Sequence, residues 1–207
     1  MGIEETLNQV RSRLPRLHPA QPTRPATIQA AARTFARGGY AATNLDDVAA
    51  EAGVSRVPIY RHFESKTQLY EAVLADVNDQ LRAATGHPDH ATPNSLEGLL
   101  AAAQANPDGF RLFFRQSGQE PEFRRHADEL RAAMKATAQP YMEQMIHDPA
   151  RLQWAAELIP TIAVEAVIAW LDAGAPSPGT TPDVISRIIA GAVTAIASSA
   201  PTPVPQR

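Results

Sequence analysis

The sequence predicts an all-α fold, and three observations carry that prediction. Apolar residues recur at three- and four-residue spacing through most of the 207 residues, and no stretch alternates apolar and polar residues as a half-buried strand does. Helix punctuation follows the same period, with Ser, Thr or Asp ahead of apolar runs and Gly or Pro behind them. Finally, Thr43–Lys66 (TNLDDVAAEAGVSRVPIYRHFESK) parses as two short helices, a tight turn and the start of a third helix.

Taken in order, residues 1–21 form an N-terminal extension. Ile3, Leu7, Val10 and Leu14 space as a short amphipathic helix, and Pro15, Pro19 and Pro22 enforce an extended connector. Arg11, Arg13 and Arg16 give it the character of a basic arm, although its composition and position favour a solvated tail. A helical head spans 22–82, with its helix-turn-helix at about 44–63. Its first helix, about Arg24–Arg37, sets Ile28, Ala31, Ala32 and Phe35 on one face, and Gly38-Gly39 stops it, with Tyr40 packing back on the core. Thr43 is the expected N-cap of the second helix, with Asp46 three residues on, close to a capping-box pattern. Leu45, Val48, Ala49 and Ala52 form its inner face, and Gly53 ends it where the backbone must turn left-handed. Ser55 caps the third helix, which buries Ile59 and Phe63. Pro58 has no N–H, so the expected partner of Ser55 is Val57. Ser65 and Gln68 make a capping box for a long fourth helix carrying Leu69, Val73, Val77 and Leu81.

Residues 83–94 read as a linker, since TGHPDHATPN (Thr85–Asn94) combines Gly, two Pro and short polar residues. His87, Asp89 and His90 have metal-ligand chemistry but no fixed frame, so no metal site is expected. A helical body spans 95–199. Its helices are about Leu96–Ala105, Asp108–Gln116, Glu122–His147 with a kink at Pro140, and Pro149–Ala173 capped by Asp148. The last begins near Pro182 and carries Ile185, Ile188, Ile189, Ala192 and Ile196. Residues 200–207 read as a disordered tail. The total is nine helices, plus one if the extension is helical.

Composition narrows the possibilities. A hydrophobic content of 44% supports a packed core, and the absence of cysteine removes disulfides and thiolate metal sites. No basic start leads into an apolar run, which points to a cytoplasmic protein. The most apolar stretch, Trp154–Leu171, contains Glu157, Pro160 and Glu165, so it reads as a buried helix and no membrane association is expected. The net charge of −3 is unevenly spread. Residues 1–70 hold nine Lys/Arg and six Asp/Glu, a balance of +3, against −6 for the rest. The cationic surface therefore lies with the helix-turn-helix. Motifs of nucleotide, metal or covalent catalysis are missing, so neither an enzyme nor a cofactor is expected.

The third helix turns Arg56, Tyr60, Arg61 and His62 outward, a cationic, hydrogen-bonding face that suits a major groove. The stretch resembles the DNA-binding domain of TetR-family transcriptional regulators. Ala49, Ala52, Gly53, Val54, Ser55, Ile59, Tyr60, His62, Phe63, Ser65 and Lys66 fall in that family's register, and the match runs from about Arg24 to Val77. The resemblance implies that Ser55, Arg56, Val57, Pro58, Tyr60, Arg61 and His62 face the groove of double-stranded DNA. Arg56 is the candidate for a guanine edge, and Tyr60 and His62 for phosphates. Thr43 and Lys66, at helix N-termini, are further phosphate candidates. Val57 and Pro58 depart from the usual small or hydroxylated residues and make the face more apolar.

The resemblance also implies a body that binds a small effector and forms a homodimer through its last two helices. Phe110, Phe113, Phe114, Tyr141, Met142, Met145 and Trp154 supply the candidate effector wall, and their chemistry suits an apolar or amphipathic small molecule. Phe123 and Met134 belong to the same aromatic and methionine set. Glu157, Thr161 and Glu165 form a polar stripe that reads as a solvent edge or dimer rim rather than a pocket wall. Ile162, Ala166, Ala169, Ile185, Ile188, Ala192 and Ile196 are the expected dimer contacts, because two helices apolar on more than one face call for a second subunit. The expected function is sequence-specific regulation of transcription, as a repressor released from a palindromic operator by an effector. The alternative is a DNA-binding adaptor whose body binds a protein partner.

Overall fold

A computed structural model of the chain describes residues 23–85 and 95–198. The expected N-terminal helix and basic arm, the linker histidines and the proline-rich tail lie outside them. The described residues form nine α-helices and no strand. They are α1 (Arg24–Ala42), α2 (Leu45–Glu51), α3 (Arg56–His62), α4 (Lys66–Thr85), α5 (Ser95–Ala105), α6 (Pro107–Arg111), α7 (Arg124–Glu143), α8 (Pro149–Asp172) and α9 (Thr181–Ser198). A π-helical turn, Leu112–Gln116, and a 3-10 turn, Ser117–Gln119, lie between α6 and α7.

The head is built by α1 to α4. Ile28, Ala31, Ala32 and Phe35 of α1 are buried as their spacing requires, and so are Thr27 and Thr34. Thr34 is accommodated because its hydroxyl donates to the Ala30 carbonyl at 2.8 Å. Gly39 breaks the helical path at φ +73°, a conformation open to glycine, and one more turn follows to Ala42. That break swings Tyr40 inward against Phe35, Tyr70 and Phe123 at 6.2, 4.9 and 4.8 Å between ring centroids.

The cap of α2 is Asn44, one residue later than the sequence suggests. Its carboxamide accepts from the Asp46 and Asp47 amides at 2.8 and 3.0 Å, and Asp47 accepts from the Asn44 amide at 2.8 Å. Thr43 is unavailable for capping because its side chain is buried; a methyl group added at Gly38 would stand 2.9 Å from its hydroxyl. Ser55 precedes α3 without a side-chain cap bond, to Val57 or to any other amide. At α4, Ser65 accepts from the Gln68 amide at 3.1 Å as expected.

One hydrophobic core runs from the head into the body without a break. It joins Phe35, Ile59, Phe63, Tyr70 and Leu74 to Leu100, Phe110, Phe113, Phe123, Val167, Ile168 and Ile185. Gly98 permits a close approach of α5 to α4, since a side chain there would meet the Ala84 carbonyl oxygen at 1.9 Å. A second, smaller core of Met142, Ile146, Ala155, Ala156, Ile159, Val193 and Ile196 closes the far end of α7, α8 and α9. Helix α8 is long and apolar enough to cross a bilayer, yet Ala155, Ile159, Val167 and Ile168 are buried within the protein. The long α7 ends at Glu143, short of the expected His147, and Pro140 sits within it.

Glu51 ties α1 to α2. Arg33 Nε donates to it at 2.7 Å, and Arg37 pairs with its second oxygen. The Arg33 guanidinium, then that of Arg37, holds the Glu51 carboxyl below its ordinary 4.5. Because its pKa is lowered on folding, the carboxylate contributes stability above the unfolded value, and that contribution is lost as pH falls through the folded one. The difference in melting temperature between wild type and Glu51→Gln should therefore be largest near neutrality and shrink as the pH falls below the ordinary carboxylate value of 4.5. A difference unchanged with pH would show that the clamp does not act through the charge of Glu51.

Candidate nucleic-acid interface and ligand cleft

The recognition face is positioned by the turn between α2 and α3. Gly53 at φ +67° reverses the chain, and the Val54 amide donates to the Ala49 carbonyl at 3.0 Å. Ile59 and Phe63 are buried, which rolls the opposite side of α3 outward. Ser55, Arg56, Val57, Tyr60, Arg61 and His62 are exposed there, and Pro58 is half-buried. Val57 at 67% and Tyr60 at 49% exposure are conspicuous, because a protein that used this face only for its own packing would bury them. Arg56, Val57, Tyr60 and Arg61 line a shallow, open depression. Arg56 Nε pairs with Asp46 of α2, a partner that sequence reasoning did not assign. The signal was the exposed first-turn position of Asp46, next to an Asp47 used for capping.

Two phosphate candidates are placed differently from expectation. Thr43 is buried and cannot present its hydroxyl. Lys66 turns back onto the last turn of α1, donating to the Tyr40 and Ala41 carbonyls at 2.8 and 3.2 Å. Its ammonium also lies 4.4 Å from the Tyr40 ring centroid. A cation on the final carbonyls of a helix is favourable in its own right, so Lys66 acts first as a joint between α1 and α4.

The expected effector wall does not converge. Phe110, Phe113 and Phe114 are buried in the main core and Met142 in the second one. Tyr141, Met145 and Trp154 are exposed, Trp154 at 57%. Among the described residues, a cleft of about 80 Å³ is lined by Phe114, Arg131, Met134, Ala156, Glu157, Pro160, Thr161, Val164 and Glu165. It lies at the seam of the two cores, since Ala156 belongs to one and Phe114 and Val164 to the other. Glu157, Thr161 and Glu165 are exposed, as a solvent edge requires, and the same stripe also rims this cleft. Lys135 pairs with Glu157, and Arg115 lies 3.6 Å from Glu165. Arg111 and Arg115 donate to Asp172 at 2.8 and 3.0 Å. The Arg111 contact is the main reason the Asp172 carboxyl is held below its ordinary 3.8. Among the described residues, no cluster of three His, Cys, Asp or Glu could hold a metal ion.

Of the expected dimer contacts, Ile185 and Ile196 are buried in the cores of the single chain and are unavailable to a partner. Ile188 is 50% exposed, Ala169 is exposed, and Ile162, Ala166 and Ala192 are half-buried. Val184, Ile188, Gly191 and Ala195 form an exposed stripe along α9.

Comparison with known proteins agrees with this geometry. Residues 28–73 match the family described as "Bacterial regulatory proteins, tetR family". The chain is 34% identical over 114 residues to the HTH-type transcriptional activator FasR of Mycolicibacterium smegmatis, covering 52% of this chain and 50% of that protein. It is 42% identical over 77 residues to the HTH-type transcriptional regulator TtgR of Pseudomonas putida, covering 36% and 37%. The matches thus span half or less of these curated relatives. A TetR-like transcriptional regulator from Rhodococcus sp. RHA1 shares the fold, with a TM-score of 0.66 at 17% identity over 87% of this chain and 98% of that one.

Lys66→Ala should lower the stability of the chain by about 1–2 kcal/mol, through loss of charge-assisted hydrogen bonds and the ring contact. Thermal unfolding checks this, and an unchanged melting temperature would return Lys66 to the role of an open phosphate donor.

Proposed function

Because the chain belongs to the TetR family of bacterial regulatory proteins, we propose that it is a homodimeric, sequence-specific DNA-binding regulator of transcription. The observation that carries the reading is the outward face of α3. Two arginines, a tyrosine and a histidine are presented on a short helix whose other side is anchored in the core. In this reading Arg56, at the first position of that helix, meets a base edge, and Tyr60 and His62 meet the backbone. Repression is the simpler mode of action, since an occupied operator blocks transcription without any further contact. The α8–α9 face, with Ile162, Ala166 and Ala169 beside Ile188, supports pairing of two chains, and its small residues suit close helix approach.

The α7–α8 cleft is the proposed effector site. Phe114, Met134 and Val164 offer apolar contact, and Glu157, Thr161 and Glu165 offer polar contact, so an amphipathic small molecule carrying hydrogen-bond donors fits best. An effector acts only by binding one arrangement of the two heads better than another.

Two outcomes test this reading. Duplexes selected by the protein from genomic fragments should carry inverted half-sites spaced by about one helical turn, roughly 34–36 Å, or a multiple of it. Ile188→Asp should run as a monomer in sizing experiments and lose that selectivity; a wild-type protein that is monomeric at micromolar concentration refutes the dimer. For the cleft, a small molecule that raises the melting temperature and releases the selected duplex should lose both effects in Thr161→Trp, which fills the space. Retention of both effects would place the effector elsewhere.

A further inference from the structure

We propose that Asp46 is a specificity-determining residue of the recognition face. It holds the Arg56 guanidinium by its Nε edge, leaving the outer N–H pair for a base and keeping the arginine off the phosphates. This inference rests on the DNA-binding reading above and adds to it a reason for selectivity.

The placement follows from the local backbone. Asp46 stands in the first turn of α2, where the Asn44 carboxamide fixes its amide at 2.8 Å. Arg56 is the first residue of α3. The left-handed Gly53 and the Val54 to Ala49 hydrogen bond fold α3 back on α2, and the Arg56 Nε–Asp46 Oδ1 pair bridges the two helix starts. Both side chains are exposed and neither joins a core, so the pair adds little to stability in water. What it sets is orientation.

Orientation is what base reading requires. A guanidinium carries five N–H donors in a fixed fork, and guanine presents two acceptors side by side in the major groove. With Nε occupied by Asp46, the terminal Nη1 and Nη2 groups remain as a matched pair. The rotamer is chosen before DNA arrives, so less freedom is lost on binding. The carboxylate also acts against the competing mode. A phosphate approaching the Nε edge of Arg56 meets a negative charge, which penalises docking on the backbone, where every sequence looks alike. Asp47, its neighbour, cannot substitute, because its carboxylate is committed to the Asn44 amide.

The test uses the full chain and four variants: Asp46→Asn, Asp46→Ala, Arg56→Ala and the Asp46→Ala/Arg56→Ala double. Binding is measured on the selected duplex, on its single-base variants and on a scrambled duplex at one salt concentration. Both Asp46 variants should bind scrambled DNA more tightly. Their preference at one base pair in each half-site should fall by roughly 3- to 30-fold, within the range of coupling between residues in contact. In the Arg56→Ala background, loss of Asp46 should leave that preference unchanged. Melting temperature and helix content verify that the Asn44–Asp47 cap survives. In the DNA-free protein, the Arg56 Nε–H group should be ordered by nitrogen-15 relaxation in wild type and mobile in Asp46→Asn. The inference is overturned if the group is already mobile in wild type, if the Asp46 variants keep the base preference, or if the preference falls equally without Arg56. A wild-type protein that prefers no duplex to scrambled DNA refutes the DNA-binding reading and this one together.

Discussion

The aromatic contact between head and body is the constraint on which the other features depend. Phe123, from the body, stands 4.8 Å from Tyr40 and 4.5 Å from Tyr70 by ring centroids, and Phe35 meets Tyr70 edge-on at 4.9 Å. Tyr40 reaches this cluster only because Gly39 breaks α1, and Lys66 then locks the final turn. Burial pushes the Tyr70 phenol well above its ordinary range, as expected for a hydroxyl deep in apolar packing. The orientation of α3 is thus set by packing that extends far outside the helix-turn-helix. The head of one chain cannot tilt without disturbing rings that belong to its body.

The same region meets the cleft. Phe114 lines the cleft, and two residues later Gln116 donates to the Ala36 carbonyl of α1 at 2.9 Å. Both sit in one π-helical turn, a geometry that is rare and recurs at functional sites. A ligand in the cleft that displaced Phe114 would therefore act on a turn already bonded to the head. Close-packed interiors pass such shifts on as discrete rearrangements rather than absorbing them.

The helical pattern and the outward face of α3 were readable from sequence because both are local. A helix period, a Gly at a left-handed turn and an i, i+4 pair such as Ile59 and Phe63 are specified within a few residues. Errors arose where packing outside the element decides. Thr43 was the expected cap of α2, but it is buried beside Gly38 and Asn44 takes the role. Lys66 looks like an open cation until the end of α1 is folded against it. Phe110 and Trp154 look alike in composition, yet one is in the core and the other on the surface. Ile185 and Ile188 lie on the same helix, and only the packing of α9 against α8 tells a core residue from an exposed one. The polar stripe of Glu157, Thr161 and Glu165 was visible as a periodicity and is exposed accordingly; that it also rims a cleft depends on the packing of α7 beside it.

The size of the cleft bears on mechanism. At about 80 Å³ it is well below the roughly 300 Å³ at which drug-sized ligand sites begin. A drug-sized ligand bound there would have to widen the seam between the two cores. The seam is suited to this, because Pro160 lies within α8 there. Its missing N–H leaves the Ala156 carbonyl without a helical partner, and both residues line the cleft. The opposing α7 carries Pro140 towards its end. Charge adds a second condition. Glu157 and Glu165 face the cleft with Lys135 and Arg115 as partners, so a ligand bearing a cation or several donors competes with those partners for the carboxylates. Arg115 is also bonded to Asp172 and sits in the π-helical turn with Phe114 and Gln116. A ligand that takes Glu165 from Arg115 and pushes Phe114 aside would strain that turn at two points. Its next residue, Gln116, is the one bonded to the head.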